Sequence, residues 1–144
     1  MRIGILGAGS WAIALSVLLQ KRDHAVCMWE FNAKDADMLR EKREHPAKLP
    51  GIHIPESIEI VNDITVTIKK SELIVCAVPS QTMRSTMRRI AQLCSTDEID
   101  AIQGWVNVAK GIETNTLKLM TDILMEEIPG LTAAKLAVLS GPSH

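Results

Sequence analysis

Six short apolar runs punctuate the chain, and segments with helical spacing separate them. Residues 2–6 read as a buried strand, and residues 11–19 as the start of a buried helix. Arg22-Asp23-His24 breaks that pattern, with Asp23 suited to a left-handed helix end. Residues 25–29 form a second strand. A polar helix over 32–44 follows, turning Met38 and Leu39 inward and stopping at His45-Pro46. The proline-bounded stretch 48–55 is extended and leads to a weak third strand near 58–61. Residues 63–70 read as a short helix or an irregular turn. Residues 73–78 are the strongest strand after the first, and the helix 82–93 carries Met83, Met87, Ile90 and Ala91 at core spacing. A fifth strand spans 105–109. The next helix, 116–128, closes at Pro129-Gly130, and a sixth strand spans 135–139.

Alternating strand and helix patterns imply parallel βαβ units. Right-handed crossovers then give an α/β fold, an open doubly wound parallel sheet in three layers (α/β/α) with strand order 3-2-1-4-5-6. The 144 residues suit one domain, and 47% hydrophobic residues suffice for a continuous core. A formal net charge of -1 argues against a general binder of nucleic acid or membrane surfaces. Arg84, Arg88 and Arg89, the densest basic cluster, are expected on the wet face of one helix. Cys27, Cys76 and Cys94 match no metal spacing, and Cys27 and Cys76 fall within strands, so reduced buried thiols are expected. No signal peptide is expected before the first strand, and no apolar run reaches the roughly 18 residues of a membrane span. A cytoplasmic location is expected.

The candidate chemistry begins at Gly7-Ala8-Gly9-Ser10-Trp11-Ala12, a G-x-G-x-x-G/A turn between strand and helix. This is the dinucleotide-binding fingerprint, in which helix N–H groups and the helix dipole face a pyrophosphate. Gly7 allows the tight turn, Gly9 keeps side chains off the pyrophosphate, and Ala12 stands where a third glycine is usual. Glu30 ends the second strand at about the 20-residue offset of an acid that accepts from a ribose 2′-hydroxyl. Such a carboxylate favours NAD over NADP. Its alternative is a solvated acid at a strand end. Phe31, the single phenylalanine, either covers an adenine face or caps the core edge. Lys110 ends a strand on the ligand side of the sheet, where an ammonium can pair with a phosphate or polarise a carbonyl, or simply be solvated. Gly141-Pro142-Ser143 can hold an anion or be merely a turn. His24, His45, His53 and His144 share no metal-binding spacing, and no G-x-S-x-G marks a nucleophile.

Taken in order, Gly7-Ala8-Gly9-Ser10-Trp11, Met28-Trp29, Leu49-Pro50-Gly51-Ile52, Val78-Pro79-Ser80-Gln81, Ala109-Lys110-Gly111-Ile112-Glu113 and Ser140-Gly141-Pro142-Ser143-His144 resemble the NAD(P)-dependent glycerol-3-phosphate dehydrogenases. The resemblance covers the chain end to end. It implies a Rossmann domain and oxidation of sn-glycerol 3-phosphate to dihydroxyacetone phosphate, and the reverse, by hydride exchange with nicotinamide. It places Ser10 and Trp11 on the pyrophosphate side, Phe31 beside the adenosine, and Lys48 at another cofactor contact. Lys110 is implied to lie beside nicotinamide and substrate as the catalytic lysine, with Gly141 and Ser143 on the substrate.

Three departures stand out. Ala12 replaces a glycine. Glu30 and Phe31 stand where many bacterial members place basic or histidine groups, which sets NAD ahead while leaving NADP open. Members also continue into a helical domain with a second catalytic lysine and most of the substrate pocket. This chain is therefore expected to be a dinucleotide-binding domain, residues 1–144, lacking that partner domain. The alternatives are a self-standing, non-catalytic NAD-binding or redox-sensing module and a related Rossmann reductase with another small substrate. A homodimer is compatible with each.

Overall fold

The structure is a computed structural model and describes residues 1–140. Six parallel strands form one sheet in the order β3-β2-β1-β4-β5-β6. The strands are β1 (Arg2–Leu6), β2 (Ala25–Trp29), β3 (Glu59–Val61), β4 (Leu73–Cys76), β5 (Gly104–Asn107) and β6 (Leu136–Val138). The helices are α1 (Ser10–Lys21), α2 (Ala33–Lys42), α3 (Ile64–Lys70), α4 (Met83–Leu93), α5 (Thr96–Asp100) and α6 (Met120–Glu127). The expected strand order and three-layer doubly wound architecture are observed.

Strand alternation divides the core. Ile3, Ile5, Val26, Met28 and Val75 face one side, packing with Ile13 of α1 and Leu39 of α2. Leu6, Ile74, Cys76 and Trp105 face the other, packing with Ile68 of α3, Met83, Met87 and Ile90 of α4, and Ile123 and Leu124 of α6. Both faces of the central strands are covered, which is why they read as near-continuous apolar runs. Gly4 is required by close approach, since a Cβ there would stand 2.5 Å from Ser71 Oγ and 2.7 Å from Thr67 Cγ2.

The register aligns the strand ends. Val61, Trp29, Leu6, Cys76 and Asn107 form one row across β3-β2-β1-β4-β5. The residues that follow each strand therefore emerge along one edge, outside the carboxyl ends, where open α/β sheets place ligands.

Several boundaries depart from the sequence pattern, the strand expected over 73–78 ending at Cys76 among them, and one helix is added. The helix expected over 32–44 ends at Lys42 because Arg43 turns left-handed (φ 53°), still donating its N–H to Leu39 O. Its guanidinium then donates to the carbonyls of Pro55 and Ile58, fastening the proline-bounded stretch. α5 was not expected, although Ser95 and Glu98 form a reciprocal capping box that its sequence signals. The helix expected from Thr116 begins at Met120. Leu117 is left-handed (φ 60°), and Thr116 Oγ1 donates to the Glu113 carboxylate instead of opening a helix. The strand expected over 105–109 ends at Asn107, whose side chain bonds the backbone of Ala109 and turns the chain out of the sheet. Asp23 is left-handed (φ 66°), as its sequence context suggested.

Candidate functional site

The edge beyond the strand ends is one cavity of about 1260 Å³. Drug-sized ligands take roughly 300–1,000 Å³, so this one suits a longer, extended ligand. The turns after β1, β2, β4 and β5 all contribute to its walls. Gly7, Ala8, Gly9, Ser10, Trp11, Ala12, Glu30, Phe31, Lys48 and Lys110 line it together. Gly141 and Ser143 lie outside the described residues.

The floor is the β1–α1 turn. Gly7 has φ +120°, a conformation L side chains rarely adopt, and a Cβ there would stand 2.7 Å from Ala77 O. Its N–H donates to Trp29 O at 2.9 Å, tying the turn to β2. Gly9 has ordinary dihedrals (φ -76°) and nothing within 4 Å of where a Cβ would be. It matters for the space it leaves, and that space belongs to the cavity. Ala12 is 1% exposed, so its methyl packs inward and leaves the cavity unobstructed.

α1 begins without a side-chain cap, as do α4 and α6, whereas Asn32, Asp63 and Ser95 cap α2, α3 and α5. Among the described residues the N–H groups of Ser10, Trp11 and Ala12 have no acceptor; the first ladder bond is Ile13 N–H to Gly9 O. Glycine in place of a capping side chain costs a few tenths of a kcal/mol. An anion at a helix N-terminus returns about 0.3–2 kcal/mol. An open cap is therefore cheap to keep and repaid by a bound anion.

At the β2 end, Glu30 Oε1 accepts the Asn32 N–H at 3.1 Å, which fixes the carboxylate against the start of α2. Asn62 Nδ2 donates to the carbonyls of Glu30 and Phe31, both at 2.9 Å, and Trp29 Nε1 donates to Asn62 O. This bracing fixes the backbone beneath Phe31, a residue that is 67% exposed. Trp11 is 37% exposed, while Trp29 is buried; both border the cavity.

Opposite stands α4, whose Thr82 cap, Ser85, Thr86 and Arg89 recur at helical spacing along the cavity. The sequence pattern points to the methionines on the buried face of the same helix and does not single out this stripe. The arginine cluster also differs from its expected place on the wet face of one helix. Arg88 and Arg89 are exposed, but the Arg84 side chain is only 18% exposed and is enclosed by carboxylates. Its guanidinium donates twice to Glu113, at 2.9 and 3.0 Å, and to Glu126 and Glu127 at 2.8 and 2.9 Å. The Arg84 hydrogen bonds, joined by Thr116, pull the Glu113 carboxyl down to about 2, so this pair stays ionised at neutral pH.

Lys110 sits at the exposed rim where β5 gives way to this carboxylate-bound segment. Among the described residues it forms no ion pair within 4.0 Å. Asn107 orients the approach, donating to Ala109 O and accepting from Ala109 N–H. Among the described residues no group of three His, Cys, Asp or Glu could hold a metal ion, and no helix is long and apolar enough to cross a membrane. Burial pushes the Cys76 thiol up to about 12, leaving it inert within the core.

Comparison with known proteins agrees with this geometry. The family model described as the NAD-dependent glycerol-3-phosphate dehydrogenase N-terminus matches residues 2–144. A glycerol-3-phosphate dehydrogenase (NAD(P)+) of Agathobacter rectalis is 45% identical over 99% of this chain and 40% of its own length. One from Chlorobium luteolum is 44% identical over 100% of this chain and 42% of its own. The crystal structure of glycerol-3-phosphate dehydrogenase from Coxiella burnetii superposes with TM-score 0.83 at 24% identity, covering 99% of this chain and 41% of that one. This chain thus spans about two fifths of the relatives it matches. It belongs to the NAD-dependent glycerol-3-phosphate dehydrogenase N-terminus family.

Proposed function

We propose that this chain is the nicotinamide-dinucleotide-holding part of a glycerol-3-phosphate dehydrogenase, interconverting sn-glycerol 3-phosphate and dihydroxyacetone phosphate. The observation that carries the reading is the uncapped α1 N-terminus, which opens through Gly9 into a long cavity shared by four strand ends. The residues present fit the cofactor. The N–H groups of Ser10, Trp11 and Ala12 take the pyrophosphate, Phe31 lies against the adenine, and Lys48 supplies a cation at the cavity wall.

Glu30 accepts from the adenosine ribose through the carboxylate oxygen that Asn32 leaves free. A 2′-phosphate meets repulsion there. Each charge pair at 4 Å is worth about 1 kcal/mol even in bulk water, so NAD is preferred over NADP roughly tenfold or more. Bound nicotinamide supplies or accepts the hydride. Lys110 stands at the end of the cavity remote from Glu30 in strand order. Its ammonium pairs with the substrate oxygen as negative charge develops there, a gain realised most fully in the transition state. Gly141 and Ser143 contact the substrate. A helical domain outside residues 1–144 brings the second lysine and closes the pocket against water. The cytoplasm is the proposed location, and a homodimer the proposed assembly.

Steady-state assay tests this. A longer protein carrying this chain followed by its helical domain reduces dihydroxyacetone phosphate with NADH, and residues 1–144 alone show no turnover. Robust turnover by the 144 residues, or no turnover by the longer protein, contradicts the reading.

A further inference from the structure

We infer that Gln81 and Arg84 are positioning residues which set the placement of Lys110 by clasping the segment that follows it; the inference rests on the role of Lys110 proposed above. Between β5 and α6 the chain runs without a helix or strand, through left-handed backbone at Gly111 (φ +99°) and Leu117 (φ 60°). Its own closure consists of Glu113 N–H to Lys118 O, Leu117 N–H to Glu113 O, and a bridge between Ile112 and Leu119. A loop of this kind forms a compact unit but does not by itself fix its distance from the opposite cavity wall.

The turn after β4 supplies that distance. Gln81 Nε2 donates to Ile112 O at 2.9 Å, while its Oε1 accepts from Thr114 N–H and Thr114 Oγ1, both at 3.0 Å. One side-chain amide thus engages the segment as a neighbouring strand would, through a carbonyl and an N–H two residues apart. The same Nε2 reaches Ser80 Oγ at 3.2 Å, and Ser80 is part of the cavity lining. One helical turn on, the Arg84 fork holds Glu113 bidentately and pins it to α6 through Glu126 and Glu127. Neither Gln81 nor Arg84 lines the cavity. Their effect on chemistry passes through the segment that begins at Lys110, and a shift of about 1 Å at a reacting group costs up to 100-fold.

The test is a double-mutant cycle in the longer enzyme, pairing Gln81→Met with Lys110→Ala. Gln81→Met is expected to lower kcat by about tenfold while KM for NADH stays within about twofold. In the Lys110→Ala background it should cause no further loss, because two residues acting as one unit are non-additive. In cofactor-free protein, amide exchange at Thr114 should accelerate in Gln81→Met, since its acceptor is gone. If Gln81→Met does not fold, Arg84→Lys enters the same cycle, keeping the charge but losing the fork. Losses that multiply independently overturn the clasp alone, as does unchanged Thr114 exchange. An undiminished kcat in Lys110→Ala overturns the Lys110 role and the clasp with it.

Discussion

Gly7→Ala should lower the stability of the chain by about 2–4 kcal/mol, combining a strained positive φ with overpacking. That corresponds to a fall of roughly 10 °C in the unfolding midpoint for a domain of this size. The obstacle is backbone: Ala77 O at 2.7 Å, Ala77 C at 3.0 Å and Val78 N at 3.3 Å from the added Cβ. Ala77 and Val78 also line the cavity, so any yielding enters the binding site directly. Gly9→Ala is the informative contrast. Its Cβ meets nothing within 4 Å and its φ of -76° suits any residue, so unfolding should be unchanged. The added methyl would stand between the open helix end and the proposed pyrophosphate, costing about 1–3 kcal/mol in binding, tenfold or more. Thermal unfolding and NADH titration on both variants check the pair. Equal destabilisation, or undiminished NADH affinity in Gly9→Ala, would show that the turn serves only the fold.

Lys110→Ala should reduce kcat of the longer enzyme by about 10²- to 10³-fold, the loss of roughly 3–4 kcal/mol expected for one group aimed at a developing oxyanion. NADH affinity should stay nearly unchanged, since the proposed pyrophosphate and adenosine contacts lie at the other strand ends. The side chain is exposed and unpaired among the described residues, so its removal leaves no buried charge and no cavity. Folding should survive intact. A variant that binds NADH normally and turns over normally would remove Lys110 from the chemistry.

Local physics made much of this molecule legible from sequence. The runs 2–6 and 25–29 match β1 and β2 residue for residue, because both strands are buried and nearly all apolar from their second residue on. The glycine turn, Glu30, Phe31 and Lys110 meet at one cavity because they all follow carboxyl ends of parallel strands. What sequence hid depends on partners distant along the chain. Arg84 looks like a solvated cation until Glu113, Glu126 and Glu127 are brought to it across 29 to 43 residues. Thr116 sits in a helix-like pattern, but Glu113 claims its hydroxyl, and the helix starts later. The cavity stripe of α4 is polar on its own evidence, and only the fold shows that its polar face meets a binding cavity rather than open solvent.

The cavity beyond the strand ends should hold a nicotinamide dinucleotide, a claim that titration of NADH and then NADPH into the purified chain decides. Trp11 and Trp29 border the cavity and report occupancy through their fluorescence. Saturable quenching, with NADH binding more tightly than NADPH, is the predicted result; no saturable change with either nucleotide contradicts the claim.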